Sequence, residues 1–247
     1  MMRRVTVGGS GPNVSPGDTQ SERDGEPITV RIVTSSGAVL RGRVVWEGGT
    51  PRRTMFPSVY LQQSVSQGFA GSVSNTFFKL SDDNTFALPG VTGKGFIRLL
   101  QLPAGWAIKS ITVDGEDMTD VEIDLSTRRS VDNIRIVLTD KLTDLTGTVA
   151  DAQGKLLNDY VVVLLPSGLK EGLSPQRFIS VVRPDQDGSF RVKGMPPGSY
   201  VVTALEWVEQ GRQFVPGFQE QLRKAGKTLT LREGEATTID LKLAEGL

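Results

Sequence analysis

An internal repeat with a spacing of about 105 residues constrains this chain more than any other feature. Gly42 and Val44 recur as Gly147 and Val149, Phe86 and Gly90 as Phe190 and Gly194, Phe96 as Tyr200, and Ile134 and Leu138 as Ile239 and Leu243. Seven positions held in register, with slips of a single residue, point to two copies of one folding unit. The unit is clearest between Asp185 and Tyr200. Asp187-Gly188 suits a tight hairpin in which glycine takes positive φ cheaply, and Pro196-Pro197-Gly198 fixes two φ angles before a permissive residue. Between these turns Phe190 and Val192 alternate with Ser189, Arg191 and Lys193, the period of a strand with one buried face. Ser81 to Gly90 is the earlier copy of the same turn-strand-turn pattern.

Short alternating runs separated by Gly, Pro, Asp and Asn fill the rest, with turns every 8 to 12 residues or so, as in a two-sheet sandwich. The predicted fold is all-β: two tandem Ig-like or prealbumin-like antiparallel β-sandwiches, with one short helix in the second. Residues 1–27, rich in Gly, Ser, Pro and charge, read as a disordered tail. Residues 28–138 form the first sandwich and 139–247 the second, joined by the spacer Thr139 to Asp144. Within the first, residues 28–34 resemble a closing strand. Val30-Arg31-Ile32-Val33 precedes Gly42 much as Ile134-Arg135-Ile136-Val137 precedes Gly147, so this stretch is expected to be the stump of a missing upstream unit. Tyr160 to Leu165 is apolar throughout and belongs at the centre of a sheet. Pro216 to Ala225, with Phe218 and Leu222 four apart and Gly226 next, is the helix.

Composition removes whole classes of chemistry. The chain has no histidine, so zinc held by His ligands and Ser-His-Asp or Cys-His nucleophiles are impossible within it. It has no cysteine either, hence no disulfide and no thiolate metal site. The 28 basic and 28 acidic residues cancel, and no basic block marks a nucleic-acid or anionic-membrane footprint. The longest apolar runs are far short of a membrane span, and Met1-Met2-Arg3-Arg4-Val5 leads into glycine and serine instead of the apolar core of a signal peptide.

Few constellations remain. Asp185 and Asp187, with Asp82 and Asp83 in the other copy, form a weak calcium pattern that lacks a third oxygen ligand and a distal Glu. Turn-forming Asp side chains explain them better. Phe86, Phe190, Phe96, Tyr200 and Trp106 are core positions. Trp207 and Phe214 lie in a segment that only the second copy has, between Leu205 and the helix, and are the candidate ligand-binding aromatics, placed either to stack on a sugar ring or a partner or to pin the helix to the sheet. Glu206 with Glu209, and Asp117 with Asp120, are carboxylate pairs of the kind a glycosidase uses, without convergent polar groups around them. Asn133 is the one Asn near a unit's terminal strand that could serve an intramolecular isopeptide bond. No catalytic residue, metal or cofactor is expected.

Gly147-Thr-Val149, Asp185-Gln-Asp-Gly-Ser-Phe190, Gly194-Met-Pro-Pro-Gly-Ser-Tyr200, Thr237 to Leu243 and, in the first copy, Leu102-Pro-Ala-Gly-Trp106 resemble the carboxypeptidase regulatory-like domain. That domain is a transthyretin-like sandwich related to the Cna B-type repeats of surface proteins, and the resemblance spans residues 40 to 245. It implies tandem modules of an exported bacterial protein, extracytoplasmic in location, acting as spacer or interaction scaffold. A carbohydrate-binding module is the alternative. The implied partner is a protein or glycan at the cell surface, and the implied state a monomeric segment of a longer chain. The family's motifs are turns and core anchors, so they specify fold and not chemistry.

Overall fold

The computed structural model describes residues 37–49, 51, 57–63, 78–168, 177–244 and 246. The expected tail at 1–27 and the expected closing strand at 28–34 lie outside the described residues. In the first half nine strands follow one another: β1 (Ala38–Glu47), β2 (Ser58–Gln63), β3 (Phe78–Lys79), β4 (Thr85–Val91), β5 (Lys94–Leu100), β6 (Ala107–Val113), β7 (Glu116–Asp117), β8 (Ile123–Asp124) and β9 (Ser130–Thr139). They form two sheets, ordered β4-β1-β9-β6-β7 and β3-β2-β5-β8. Leu40, Leu88, Ile111 and Ile136 from one sheet pack against Val59, Leu61 and Ile97 from the other in a single core.

The second half repeats the plan with β10 (Asp144–Ala150), β11 (Val161–Pro166), β12 (Ser180–Val182), β13 (Ser189–Lys193), β14 (Gly198–Leu205), β15 (Lys227–Leu231) and β16 (Ala236–Lys242). Its sheets are β13-β10-β16 and β12-β11-β14-β15. Leu145, Val149, Phe190 and Ile239 meet Val162, Leu164, Tyr200 and Val202 in a core of their own. Two phenols buried there are satisfied by carbonyls, Tyr160 donating to Gly188 at 2.8 Å and Tyr200 to Pro196 at 2.7 Å. Burial pushes the Tyr200 hydroxyl's pKa up.

Every residue of β11 is buried because a third layer covers its outer face. Helix α1 (Pro216–Ala225) follows β14 and sets Phe218 and Leu222 onto Val161, Val163, Leu165, Val201 and Leu205. Proline begins the helix, where its missing N–H costs nothing. At the other end the Thr203 hydroxyl donates to the Leu222 carbonyl at 3.0 Å, and a Cβ on Gly226 would stand 2.3 Å from that hydroxyl. The helix therefore ends pressed against the sheet.

Each sandwich departs from pure antiparallel pairing at one place. The first and last strands of a unit run parallel, β1 beside β9 and β10 beside β16. The repeat anchors meet at these pairs. Gly42 lies between Phe86 and Ile134, and Gly147 between Phe190 and Ile239, so each half has a Phe-Gly-Ile rung across three strands. A Cβ on either glycine would come within 2.1 Å of the neighbouring isoleucine carbonyl, and on Gly147 also within 2.8 Å of the Phe190 ring. Only a residue without a side chain lets the parallel strand and the ring close in together.

Other details differ from the sequence reading. Val121, Ile123 and Leu125 alternate in the sequence as a strand would, but the strand there is only Ile123–Asp124, the preceding Thr119 and Asp120 being drawn inward by Arg98. Pro89-Gly90 reads in the sequence as the end of a strand, but the strand runs on through it to Val91. β4 is a sheet edge, where a missing N–H is tolerated, and pairing continues to Val91. A 3-10 turn at Arg212–Phe214 precedes the helix.

The rung gives a test of the fold. Gly147→Ala forces backbone apart and should cost the second sandwich ~3 kcal/mol. Urea unfolding followed by Tyr160 and Tyr200 fluorescence should show the midpoint falling. An unchanged midpoint would mean the close approach is not there.

Candidate functional site

Among the described residues, the densest polar arrangement lies where the two sandwiches meet. Four residues, 140–143, separate β9 from β10. Hydrogen bonds hold them on both sides. Asp140 accepts from the Gly49 amide of the first half at 2.9 Å. The Lys141 carbonyl accepts from Gly234 of the second at 3.2 Å, and the Thr143 carbonyl from Gly194 at 3.0 Å. Thr143, 2% exposed, also donates its hydroxyl to the Met195 carbonyl at 2.8 Å.

Two charged nodes flank this connection. At the first, Arg98 of β5 is buried and directs its guanidinium to the carbonyls of Ile97 (3.0 Å) and Thr119 (2.6 Å) and to the Asp120 carboxylate (3.2 Å). The other Asp120 oxygen accepts from Arg177 of the second half at 2.7 Å, and Arg177 also donates to the Ile108 carbonyl. Asp120 is thus shared between a guanidinium of its own sandwich and one from the next. Burial lowers the pKa of Arg98 and Asp120 offsets part of that, but a guanidinium stays charged and needs its anion.

At the second node, Lys109 of β6 lies 2.5 Å from Glu47 and 3.1 Å from Glu233 of the β15–β16 turn. The Thr139 hydroxyl donates to the same Glu233 oxygen at 3.1 Å and accepts from the Lys141 amide. The Lys109 ammonium holds the Glu233 carboxyl below its ordinary pKa of 4.5, and Glu47, then Glu233, raise that of Lys109 above 10.5. A cavity of about 130 Å³ between the nodes is lined by Ile108, Lys109, Thr143, Arg177, Met195 and Glu233. Lys109, Arg177 and Glu233 on its walls are paired across the two halves, so the arrangement suits holding two bodies together.

The residues singled out from sequence fall elsewhere. Asp185 accepts from the amides of Asp187 and Ser189 and from the Ser189 hydroxyl, each at 3.0 Å, and those bonds lower its pKa. Asp83 does the same for Thr85. Their oxygens are spent on turns, and among the described residues no group of three or more acidic side chains is placed to hold a metal ion. Asp117 is bonded to the Thr119 amide and hydroxyl, and Asp120 is the clamp's anion, so this pair is not a pair of free carboxylates. Asn133 gives its amide to Asp114 at 2.7 Å. Trp106 is half-buried and stacks edge-on against Trp46 at 4.9 Å, whose indole donates to Asn84. Trp207 and Phe214 are exposed, 63% and 43%, and the helix is pinned by Phe218 and Leu222 instead. No ring contact joins Trp207 to Phe214 among the described residues.

Sequence reasoning missed Arg98, Arg177, Lys109 and Glu233. The one signal in the sequence was a charged residue, Arg98, inside the otherwise apolar run Phe96 to Leu100.

No family model and no curated protein matches the chain. Solved structures do. The Bacillus anthracis TIE protein is 12% identical, the match covering 88% of this chain and 38% of that one with a TM-score of 0.29. A streptococcal ancillary pilin is 12% identical over 87% and 65% of the two chains, TM-score 0.33. The minor pilin of Streptococcus agalactiae is 15% identical over 85% and 97%, TM-score 0.32. The chain spans less than two thirds of the length of the first two. At that identity and overlap the likeness assigns no activity and no partner. The sandwich implied by the carboxypeptidase regulatory-like motifs is the fold observed, while the family label itself has no matching model.

The joint's two nodes answer differently to perturbation. Asp120→Asn strands the buried Arg98 and should cost ~3 to 5 kcal/mol in urea unfolding. The Glu233 bridge is pH-dependent in a defined direction. Its folded pKa is depressed, so its contribution is complete above pH 4.5 and is lost as the pH falls below it. Limited proteolysis at the joint should accelerate below that pH in the parent and be pH-independent in Glu233→Gln. Equal proteolysis at pH 7 and pH 4 in the parent would remove Glu233 from the clamp.

Proposed function

We propose that this chain is a non-enzymatic spacer of an exported bacterial surface protein, two sandwiches held end to end so that the parts beyond them are kept at a set separation and orientation. The observation that carries this reading is the clamped joint. A connection of four residues can act as a hinge, yet here its backbone is hydrogen-bonded to both halves, and Arg177 and Glu233 reach across to Asp120 and Lys109. Paired charges facing across a joint fix register and orientation more than they add stability. The export assignment rests on the family resemblance of the motifs.

The parent has no cysteine, so spin labels can be placed at will. Thr127→Cys in the first half and Glu220→Cys on α1, diluted with unlabelled chain, should give one narrow distance distribution by pulsed electron resonance. Adding Arg177→Ala and Lys109→Ala should broaden it. A broad distribution before those changes would overturn the spacer reading.

A second reading, a glycan-binding surface, is favoured by one observation: Trp207 and Phe214 stand exposed on the insertion unique to the second half. An exposed aromatic face can stack on a sugar ring. A glycan array should then show a specific signal that Trp207→Ala abolishes, and silence across the array would leave the spacer reading alone.

A further inference from the structure

On the outer face of the first sandwich two arginines stand side by side. Arg43 of β1 and Arg135 of β9 are register partners in the parallel pair, on strands ~4.8 Å apart. Ile134 faces the core, so Arg135 and the Arg43 beside it project to solvent, and both are exposed. Neither makes a hydrogen bond or an ion pair among the described residues. The nearest acid along the strand, Asp132, is taken by Arg41 at 3.0 Å and by the Ser130 hydroxyl at 2.8 Å. Like charges directly opposite one another destabilise a sheet. The second half shows the arrangement without that cost: Thr148 and Asp240 occupy the same two places in the repeat, and the Thr148 hydroxyl donates to Asp240 at 2.9 Å.

The backbone beside the pair also differs between the halves. β9 sets two residues, Asp132 and Asn133, opposite Arg41 alone, and Asn133 takes a left-handed φ of 57°. β10 and β16 pair without interruption over the same stretch. A bulge re-aims side chains, and this one brings the Asn133 amide to Asp114 of the β6–β7 turn at 2.7 Å. The arginines, Thr85, Thr112, Asp114 and Asn133 line an open groove of about 910 Å³. No aromatic ring lines it, and Ile134 is its one large apolar residue.

We propose that this groove binds a phosphorylated sugar, with its phosphate monoester between Arg43 and Arg135 and its hydroxyls on Thr112, Asn133 and Asp114. Charge selects the anion. Two unpaired guanidiniums match a phosphate monoester, which carries about −1.5 to −2 at pH 7 on three acceptor oxygens, better than a carboxylate with its single charge. The wall selects the body that carries it. Hydroxyl, amide and carboxylate groups exchange hydrogen bonds with sugar hydroxyls and give an aromatic base or an acyl chain nothing to pack on. Asp114 and Asp132 in the same wall repel further negative charge, so a single phosphate fits where a polyanion does not. The site lies on the first half, apart from the exposed Trp207 and Phe214 of the second, and is independent of the spacer reading.

Nuclear magnetic resonance titration of the isotope-labelled full chain with glucose 6-phosphate reads the outcome, through the arginine Nε–H signals and the backbone amides. The signals of Arg43 and Arg135 should shift and saturate, and binding should weaken as the pH falls through ~6, where the phosphate gives up its second charge. Glucuronate, which carries a carboxylate in place of the phosphate, should bind about ten-fold more weakly or worse, and so should inorganic phosphate, which lacks the sugar. Arg135→Gln should weaken binding about ten-fold or more with the rest of the amide spectrum unchanged. Arg43→Thr with Arg135→Asp installs the pair of the second half. It should abolish saturation and raise the urea midpoint, because the opposed charges are gone. Shifts that do not saturate, or that fall elsewhere, overturn the proposal, as does binding indifferent to Arg135→Gln. Equal affinity for glucuronate overturns the phosphate assignment, and equal affinity for inorganic phosphate overturns the sugar.

Discussion

The structure depends on a missing side chain. At the middle of each sandwich a glycine sits between a phenylalanine and an isoleucine on adjacent strands, and any Cβ there would strike the isoleucine carbonyl. That absence lets the last strand of a unit return parallel to the first and lets the ring of Phe190 lie over the gap. The parallel return closes the sandwich and delivers the chain to the same end at which the next unit must begin. The rung, the core behind it and the short connection after it are one consequence carried forward.

Beyond the rung lies a joint in which charge does the orienting. The Asp120 clamp is buried and the Glu233 bridge is half-exposed, so they act differently. The first cannot be opened without leaving a guanidinium in a poor environment, which makes it a lock. The second is exchanged with water and contributes direction, not strength. The proposed spacer role calls for both properties: resistance to bending and a single preferred angle.

Turns and alternation are local, and they were legible for that reason. Asp187-Gly188, Pro196-Pro197-Gly198 and the Phe190/Val192 pattern each constrain φ or a face within a few residues, and the helix at Pro216–Ala225 announced both its ends. The repeat added long-range information, since Gly42 with Ile134 and Gly147 with Ile239 kept one spacing and proved to be neighbours across a strand pair. The joint was not legible. Arg177 lies 57 residues from Asp120 and 69 from Ile108, and nothing in its local sequence separates it from a solvated surface arginine. Asp120 read as a spare carboxylate for the same reason. The parallel pairing was hidden too, because period-two alternation is blind to strand direction.

The central claim, that two separate cores each close on a glycine rung, is tested most directly by amide hydrogen exchange resolved by residue. The slowest amides should fall in β1 and β9 around Gly42 and Ile134, and in β10 and β16 around Gly147 and Ile239, as two groups with their own opening free energies. If those amides exchange as fast as the turns, or if both groups open together with one shared free energy, the halves are not closed where the rungs place them.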